Sequence, residues 1–303
     1  MTEIPVPGGT EDPTGVFVEH RELLFGVVYT MLGSVTDTED VLQDAWLSWS
    51  RRGTGGVDNP RAYLVRIAVN HALTRRAVVD RRRETYVGPW LPEPLVTEEP
   101  GADDPALRTE SVSLAMLVVL ESLSPLERAV FVLHEVFGYA HTEIAEIIDR
   151  KPAAVRQLAH RARVHVHARR PLYKAHPRVR REATERFVRA AVGGDIAELM
   201  EILAPDVTVW TDGGGLRKQA LRPVHGRDKA ARLLNGYAQR GGAHLDLELR
   251  HRRVNSDDAA VLFAHGSPYA VIVLDLTPEG DRVANVFVVT NPDKLTHVKK
   301  EEA

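Results

Sequence analysis

Apolar residues recur at helical intervals from Phe17 to Arg170, and at two-residue intervals in short runs from Val207 to Thr290. The change of period predicts an all-helical half followed by an α+β half. The clearest helical stretch is Leu123–Arg170. Ser124-Pro125-Leu126-Glu127 carries a capping hydroxyl, a proline suited to the first turn and a glutamate placed to return the capping bond. Leu126, Val130, Leu133 and Phe137 follow as one stripe, and Gly138 is the expected stop. A short helix burying Ile144, Ala145 and Ile148 leads through Asp149-Arg150-Lys151 to Pro152, which opens a further helix. That last helix turns Val155, Leu158, Ala159 and Ala162 inward, and Arg156, Gln157, His160, Arg161 and Arg163 outward. Two helices on a tight turn, the second with a basic face, form a helix-turn-helix suited to the major groove.

Earlier in the chain, Phe17–Met31 reads as an amphipathic helix, broken at Gly33-Ser34. The helix Glu39–Arg51 buries Val41, Leu42, Trp46 and Trp49, and shows Glu39, Asp40, Gln43 and Asp44 on its other face. A third helix begins near Arg61, where seven arginines stand against two acids up to Glu84, with Asn70, His71 and Thr74 between them. A basic, polar helix end suits phosphate contacts and the reading of exposed bases. From Glu84 to Glu110 the composition inverts, with five prolines and seven acids against the single Arg108. This segment reads as an extended linker. Exposing Trp90, Leu91 and Leu95 within it is unfavourable, so Gly88–Leu95 is expected to dock on a folded surface.

In the second half, Arg181–Val192 and Ile196–Leu203 read as helices split by Gly193-Gly194, and Gly226–Gln239 as another. Strands are expected at Val207–Trp210, His244–Val254, Ala259–His265, Tyr269–Leu276 and Arg282–Thr290, in meander order.

Composition narrows the function. The chain has 303 residues, 44% hydrophobic and 27% charged, with no cysteine. Disulfides and thiolate metal sites are thereby excluded, which suits a reducing cytoplasm. No apolar run approaches the roughly 20 residues of a membrane span, and the N-terminus lacks the pattern of a signal peptide. Between Arg150 and Arg181 there are eleven Lys or Arg and no Asp or Glu, a segregation that fits a polyanion. The net charge of −3 argues that nucleic acid is bound within a larger assembly.

Three further motifs complete the pattern: Thr38-Glu39-Asp40-Val41-Leu42-Gln43-Asp44-Ala45-Trp46, Ala62-Tyr63-Leu64-Val65-Arg66-Ile67-Ala68-Val69-Asn70, and the helix-turn-helix from Leu114 to Arg170. With these the chain resembles the extracytoplasmic-function sigma factors of the sigma-70 family, which keep only the second and fourth sigma regions. The remainder is similar to a SnoaL-like (nuclear-transport-factor-like) cone. One subgroup joins the two, and carries Trp90-Leu91-Pro92-Glu93-Pro94, Asp212-Gly213-Gly214-Gly215 and Asn291-Pro292-Asp293-Lys294-Leu295, all present here in that order. The departures are Ala140 and Lys151 in place of capping Ser or Thr, Asp149 for a turn glycine, and Leu216 where a basic residue often follows the glycines.

The resemblance implies a disordered N-terminus (1–14), sigma region 2 (15–84), a Pro-rich acidic linker (85–112), sigma region 4 (113–172) and a SnoaL-like regulatory domain (181–303). It implies that Asp40, Gln43 and Asp44 meet core RNA polymerase. Asn70, His71, Arg75 and Arg76 would hold the melted −10 element, and Arg156, Gln157, His160 and Arg161 the duplex −35 element. The three subgroup motifs would regulate these regions in cis. No cofactor, metal, membrane partner or catalytic step is implied; an unidentified small ligand is left open. The rival reading is a SnoaL-like enzyme or ligand sensor fused to a DNA-binding module, with Asp212, His225, His244 and His265 as candidate acid–base groups. No spacing ties any two of them together.

Overall fold

The computed structural model describes residues 12–97, 112–168, 176–239 and 246–299. They form two compact units, Met1–Asp80 with Leu123–Val164, and Arg81–Ser122 with His165–Ala303.

The first unit begins with α1 (Pro13–Leu32) and α2 (Val35–Arg52), and takes in α3 (Pro60–Glu84) as far as Asp80. Helix α1 starts earlier than its apolar pattern suggests. Asp12 caps it by accepting from Thr14 N and Gly15 N, and Pro13 takes the first turn. The expected fraying up to residue 14 therefore does not extend to Asp12, Pro13 or Thr14; residues 1–11 lie outside the described residues. Leu24, Val27, Val28 and Met31 of α1 pack with Val41, Leu42 and Trp49 of α2 in the buried core. The Trp49 indole donates to Pro13 O at 2.8 Å, which ties α2 to the start of α1. Trp46, expected to be buried, is half-buried and meets Phe17 edge-on at 5.3 Å.

A second set of helices, numbered from α5 (Pro125–Phe131), completes this unit. The capping box at Ser124 and Glu127 forms as read, and α5 runs into one π turn at Val132–Val136 before Gly138 stops it at φ 71°. Helices α6 (His141–Ile147) and α7 (Pro152–His167) then form the helix-turn-helix. Asp149 takes φ 51° at the turn, so the left-handed position falls on one of the non-glycine residues that tolerates it. Two buried arginines close the C-terminal end of α1. Arg128 Nε donates to Thr30 O at 2.9 Å, and Arg76 Nη1 to Met31 O at 3.2 Å. Those carbonyls are among the four that a helix cannot satisfy internally.

The second unit contains α4 (Leu114–Leu120), α8 (Pro177–Gly193), α9 (Ile196–Ile202), α10 (Arg227–Tyr237) and a seven-stranded sheet. Its strands are β1 (Val96–Thr97), β2 (Leu203–Asp212), β3 (Val224–His225), β4 (Leu247–Val254), β5 (Asp257–Ala264), β6 (Ser267–Leu276) and β7 (Val283–Val289). Strands β4 to β7 are the expected meander. The full order is β1-β4-β5-β6-β7-β2-β3, with β2 parallel to β7 and a linker strand, β1, on the β4 edge. Alternation reveals a strand but not its neighbour, and a parallel pair needs a long connection between its members. Here that connection is everything from Gly213 to Arg282. The core lies between the sheet and the helices, with Phe187, Leu199, Val209, Leu234, Ala260 and Val286 among its members. His244 lies outside the described residues.

Because Phe187 is fully buried in this core, Phe187→Ala should destabilise the second unit by about 3–5 kcal/mol. Chemical denaturation followed by circular dichroism measures the shift in midpoint.

Candidate functional site

Residues read as nucleic-acid and polymerase contacts fall into two groups in the first unit. On α7, Arg156, Gln157, His160 and Arg161 are all exposed, and with Ala153 they line one shallow hollow. They lie on one face because three- and four-residue steps stack on a helix, and Val155, Leu158, Ala159 and Ala162 fill the opposite face. Arg161 pairs with Glu127 at 3.2 Å.

The α3 set divides. Asn70 and His71 line a hollow of about 550 Å³ with Ser48, Tyr63, Arg66, Ile67 and Thr74. Asn70 Nδ2 donates to Arg66 O at 2.8 Å and to Ile147 O at 3.2 Å, so its amide is held against the end of α6. Nearby, the Arg61 guanidinium stands over the Tyr139 ring, 5.4 Å from its centroid. Arg75 and Arg76 are not available in the same way. Arg75 pairs with Asp37 at 2.8 Å and with Asp40 at 2.5 Å, and the Asp37 contact raises its pKa. Arg76 is buried, bonded to Asp80 and Met31 O, and burial lowers its pKa. Sequence alone counted both as part of a basic helix end. Three-dimensional packing makes Arg76 a helix-closing residue, which its place inside the apolar stripe beside Val69, Ala72 and Val79 could have signalled. On α2, Gln43 and Asp44 are exposed, and Asp40 is half-engaged by Arg75.

The second unit brings the three distant motifs to one point, the side chain of Asp212, which is fully buried. Its Oδ1 accepts from Tyr86 Oη at 2.5 Å and from Gly214 N at 3.1 Å, and its Oδ2 from Leu91 N at 2.9 Å and Lys294 Nζ at 2.7 Å. The backbone oxygen of Asp212 accepts from Thr290 N and Asn291 N. Lys294 Nζ also donates to Leu91 O and lies 3.5 Å from the Trp90 ring centroid and 4.9 Å from that of Tyr86. Arg83 covers Trp90 at 4.7 Å and pairs with Glu121. Further along, Pro94 O meets His297 Nε2 at 2.6 Å, and Asn255 N donates to Leu95 O at 2.7 Å. Leu91, Pro92, Glu93 and Pro94 are all buried.

The glycines have a steric cause here. Gly214 sits at φ 62°, and a Cβ there would fall 2.6 Å from Asn291 Cγ. Gly215 sits at φ 75°, with a Cβ 3.1 Å from Val87 Cβ. A side chain at either would push apart the loop, the linker and the C-terminal turn. Asn291 itself caps that turn, accepting from Asp293 N, and donates to Tyr86 Oη at 2.8 Å. Tyr86, Arg83, Asn255 and His297 escaped the sequence reading; only Tyr86, an aromatic four residues before Trp90, offered a signal.

The remaining acid–base candidates do not gather. His225 of β3 meets Thr208 of β2, and His265 occupies a left-handed turn between β5 and β6. Neither they nor Asp212 line the cavity of about 460 Å³ inside the cone, whose walls include Phe187, Leu234, Tyr237, Leu262, Tyr269 and Ile272. Among the described residues no cluster of His, Asp and Glu could hold a metal ion. No helix among them is long and apolar enough to cross a membrane.

Comparison with known proteins agrees along the chain. Residues 16–83 match the family description "Sigma-70 region 2", residues 113–166 "Sigma-70, region 4", and residues 184–291 "SnoaL-like domain". The chain is 36% identical over 286 residues to the ECF RNA polymerase sigma factor SigJ of Mycobacterium tuberculosis, covering 91% of each protein. It is 29% identical to the probable ECF sigma factor SigI of that organism, covering 93% of this chain and 94% of the other. The crystal structure of M. tuberculosis SigJ superposes with a TM-score of 0.74 at 32% identity, over 93% of this chain and 98% of that one.

Two outcomes are expected at Asp212. Lys294→Met leaves a buried carboxylate without its cation, which should destabilise the second unit by about 3–5 kcal/mol in chemical denaturation. The pH dependence follows from the same pair. Burial brings Lys294 down from 10.5 to about 8, opposed by Asp212 and aided by Arg83, while burial and Asp212 raise Tyr86 above its ordinary 10.0. Between about pH 8 and 10 the unfolded chain therefore carries the extra proton, and stability rises with pH. Above about pH 10 the unfolded tyrosine loses a proton that the folded one keeps, and the trend reverses. Lys294→Met should remove the rise and leave the later fall.

Proposed function

Because the chain belongs to the extracytoplasmic-function RNA polymerase sigma factors, with a SnoaL-like domain at its C-terminal end, we propose how its residues divide that work. The exposed α2 positions Gln43 and Asp44, with Asp40 beside them, meet a basic surface of core polymerase. Asn70 and His71, on the hollow along α3, take the unstacked bases of the −10 element. Arg156, Gln157, His160 and Arg161 enter the major groove at the −35 element. Arg75 joins the −10 contacts only after leaving Asp37 and Asp40, and Arg76 stays in the fold.

The observation that carries this reading furthest is the hydrogen bond from Asn70 to Ile147 O. It joins the base-reading helix to the helix-turn-helix, and Arg61 over Tyr139 joins them again. Both contacts must break before promoter DNA can hold the two regions apart. The free factor is thus closed, and opening it requires binding energy from polymerase and DNA.

Regulation in cis is the role proposed for the second unit. The linker that connects the two DNA-binding regions is bound along its Tyr86–Thr97 stretch, so its reach is limited while Asp212 and Lys294 hold it. The domain shares a chain with its target, which raises its effective concentration and keeps even a weak contact occupied. Catalysis is disfavoured because the Asp212 carboxylate is already bonded to Tyr86, Leu91, Gly214 and Lys294.

Run-off transcription with core polymerase tests the proposal. The full chain, a chain ending near Arg181, one lacking residues after Thr290, and Trp90→Ala should differ several-fold in activity. Equal activity in all four would sink regulation in cis. Asp44→Arg should weaken association with core polymerase while moving stability by no more than about 0.5 kcal/mol. Arg156→Ala should cost about 1–3 kcal/mol of discrimination at one −35 base pair. A uniform loss over all sequences would instead make Arg156 a phosphate contact.

A further inference from the structure

The cone cavity has no role in the division of labour above. Its volume is about 460 Å³, within the roughly 300–1,000 Å³ usual for small-molecule sites. Its body is apolar and aromatic, supplied by Phe187, Leu234, Leu262, Tyr269, Ile272 and Val288. One wall alone is polar, and it comes from the loop that follows the Asp212 glycines: Arg217, Lys218 and Gln219, with Thr290 of the last strand's end.

Three facts about that wall point to an acidic ligand with a polar head. The Arg217 guanidinium lies over the Tyr269 ring, 4.3 Å from its centroid, and donates to Tyr269 O at 2.5 Å, and among the described residues it has no carboxylate partner. Lys218 beside it is exposed and, among the described residues, has no acid partner either. Gln219 Nε2 donates to Thr290 Oγ1 at 3.1 Å, and Thr290 Oγ1 donates to Asp212 O. The single threonine proton is spent on Asp212, so the amide orientation of Gln219 is fixed by the chain of bonds. Gln219 Oε1 is left buried with no donor. Two uncompensated cations and one unanswered acceptor thus stand at one end of an apolar chamber.

We propose that this cavity binds an apolar monocarboxylate bearing a hydroxyl near its head, and that occupancy is transmitted through Gln219 and Thr290 to Asp212. The carboxylate pairs with Arg217 and Lys218, the hydroxyl donates to Gln219 Oε1 as that side chain turns to expose it, and the hydrocarbon tail fills the space beside Phe187 and Ile272. A ligand that moves Gln219 moves Thr290, which is bonded to the same Asp212 whose carboxylate holds Leu91 and Lys294. The binding step stands on the cavity alone; the transmission step rests on the regulatory reading of the second unit.

The probe is 3-hydroxydodecanoate, titrated into the full chain by calorimetry, with its methyl ester as the uncharged control. The acid should bind at least tenfold more tightly than the ester, and Arg217→Ala should erase that preference. Ala270→Trp, which fills the chamber, should abolish binding of both; should that variant fail to fold by circular dichroism, Leu247→Trp at the cavity wall replaces it. No saturable binding, equal binding of acid and ester, or binding that survives a folded cavity-filling variant would overturn the site. Hydrogen exchange of the peptide containing Leu91 reads transmission, because that amide donates to Asp212 Oδ2. A changed exchange rate on saturation, absent in Arg217→Ala, supports transmission, and an unchanged rate overturns it. Neither readout uses transcription, so failure here is distinguishable from failure of regulation in cis.

Discussion

One buried carboxylate organises the C-terminal unit. Taking Asp212 out of water is costly, and the cost is met only if every lone pair finds a donor in good geometry. The four donors come from Tyr86, Leu91, Gly214 and Lys294, which are separated by up to 208 positions along the chain, as the numbers 86 and 294 show. The stability of the site therefore depends on the linker being present. Without it, Asp212 loses Tyr86 and Leu91, and Lys294 loses Leu91 O and two aromatic faces. A contact built this way is close to all-or-none, because a half-satisfied buried network is worse than none. Such cooperativity suits the regulatory role proposed for this contact.

The sequence displayed much of this, for reasons that can be named. Period and capping chemistry are local, so α5, α6 and α7 were legible from Ser124, Glu127, Gly138 and Pro152. The docking of Trp90 was legible because an aromatic in a Pro-rich linker has to be covered. Its partners were nameable only through the family resemblance, since nothing local connects residue 91 to residue 212. The placement of β2 beside β7 was hidden for the same reason. Arg75 and Arg76 show the limit most clearly. Adjacent and chemically identical, they point in different directions, one to Asp37 and Asp40 and the other to a buried helix end. Counting charge along α3 cannot separate them; only the rotation of about 100° between successive helix positions does.

Buried arginine also explains how the first unit is joined. Burial pushes the Arg128 pKa well below its ordinary value, with Arg76 adding to the effect and Asp80 opposing it. Desolvating two guanidinium groups near one another is tolerable here because the last carbonyls of α1 lack helical partners and accept from both. Arg128 belongs to α5 and Arg76 to α3, so the end of α1 is closed by residues from both stretches that match sigma-70 regions, the fourth and the second. Asn70 and Ile147 add a bond that is neutral and partly exposed, of the kind worth only about 0.5–1.5 kcal/mol. Arg128, the one of these two arginines that joins the two stretches, is therefore the stronger tie between them, and the Asn70 contact the weaker.

The same contrast governs the α7 face. Arg161 and Arg163 are paired with Glu127 and Glu135, but the pairs are solvent-exposed, and exposed ion pairs contribute about 0–1 kcal/mol. A phosphate can replace such a glutamate at little cost. Arg156 and His160 have no acid partner among the described residues and present their charge capacity and hydrogen-bonding groups directly. Pairing along part of this face lowers the positive field that the basic helix presents to solvent. It keeps non-specific attraction to DNA weak, since that attraction grows with the number of phosphates neutralised. On the proposed division of labour, binding then depends on polymerase to bring α7 to duplex DNA once the contacts between α3 and the helix-turn-helix have given way.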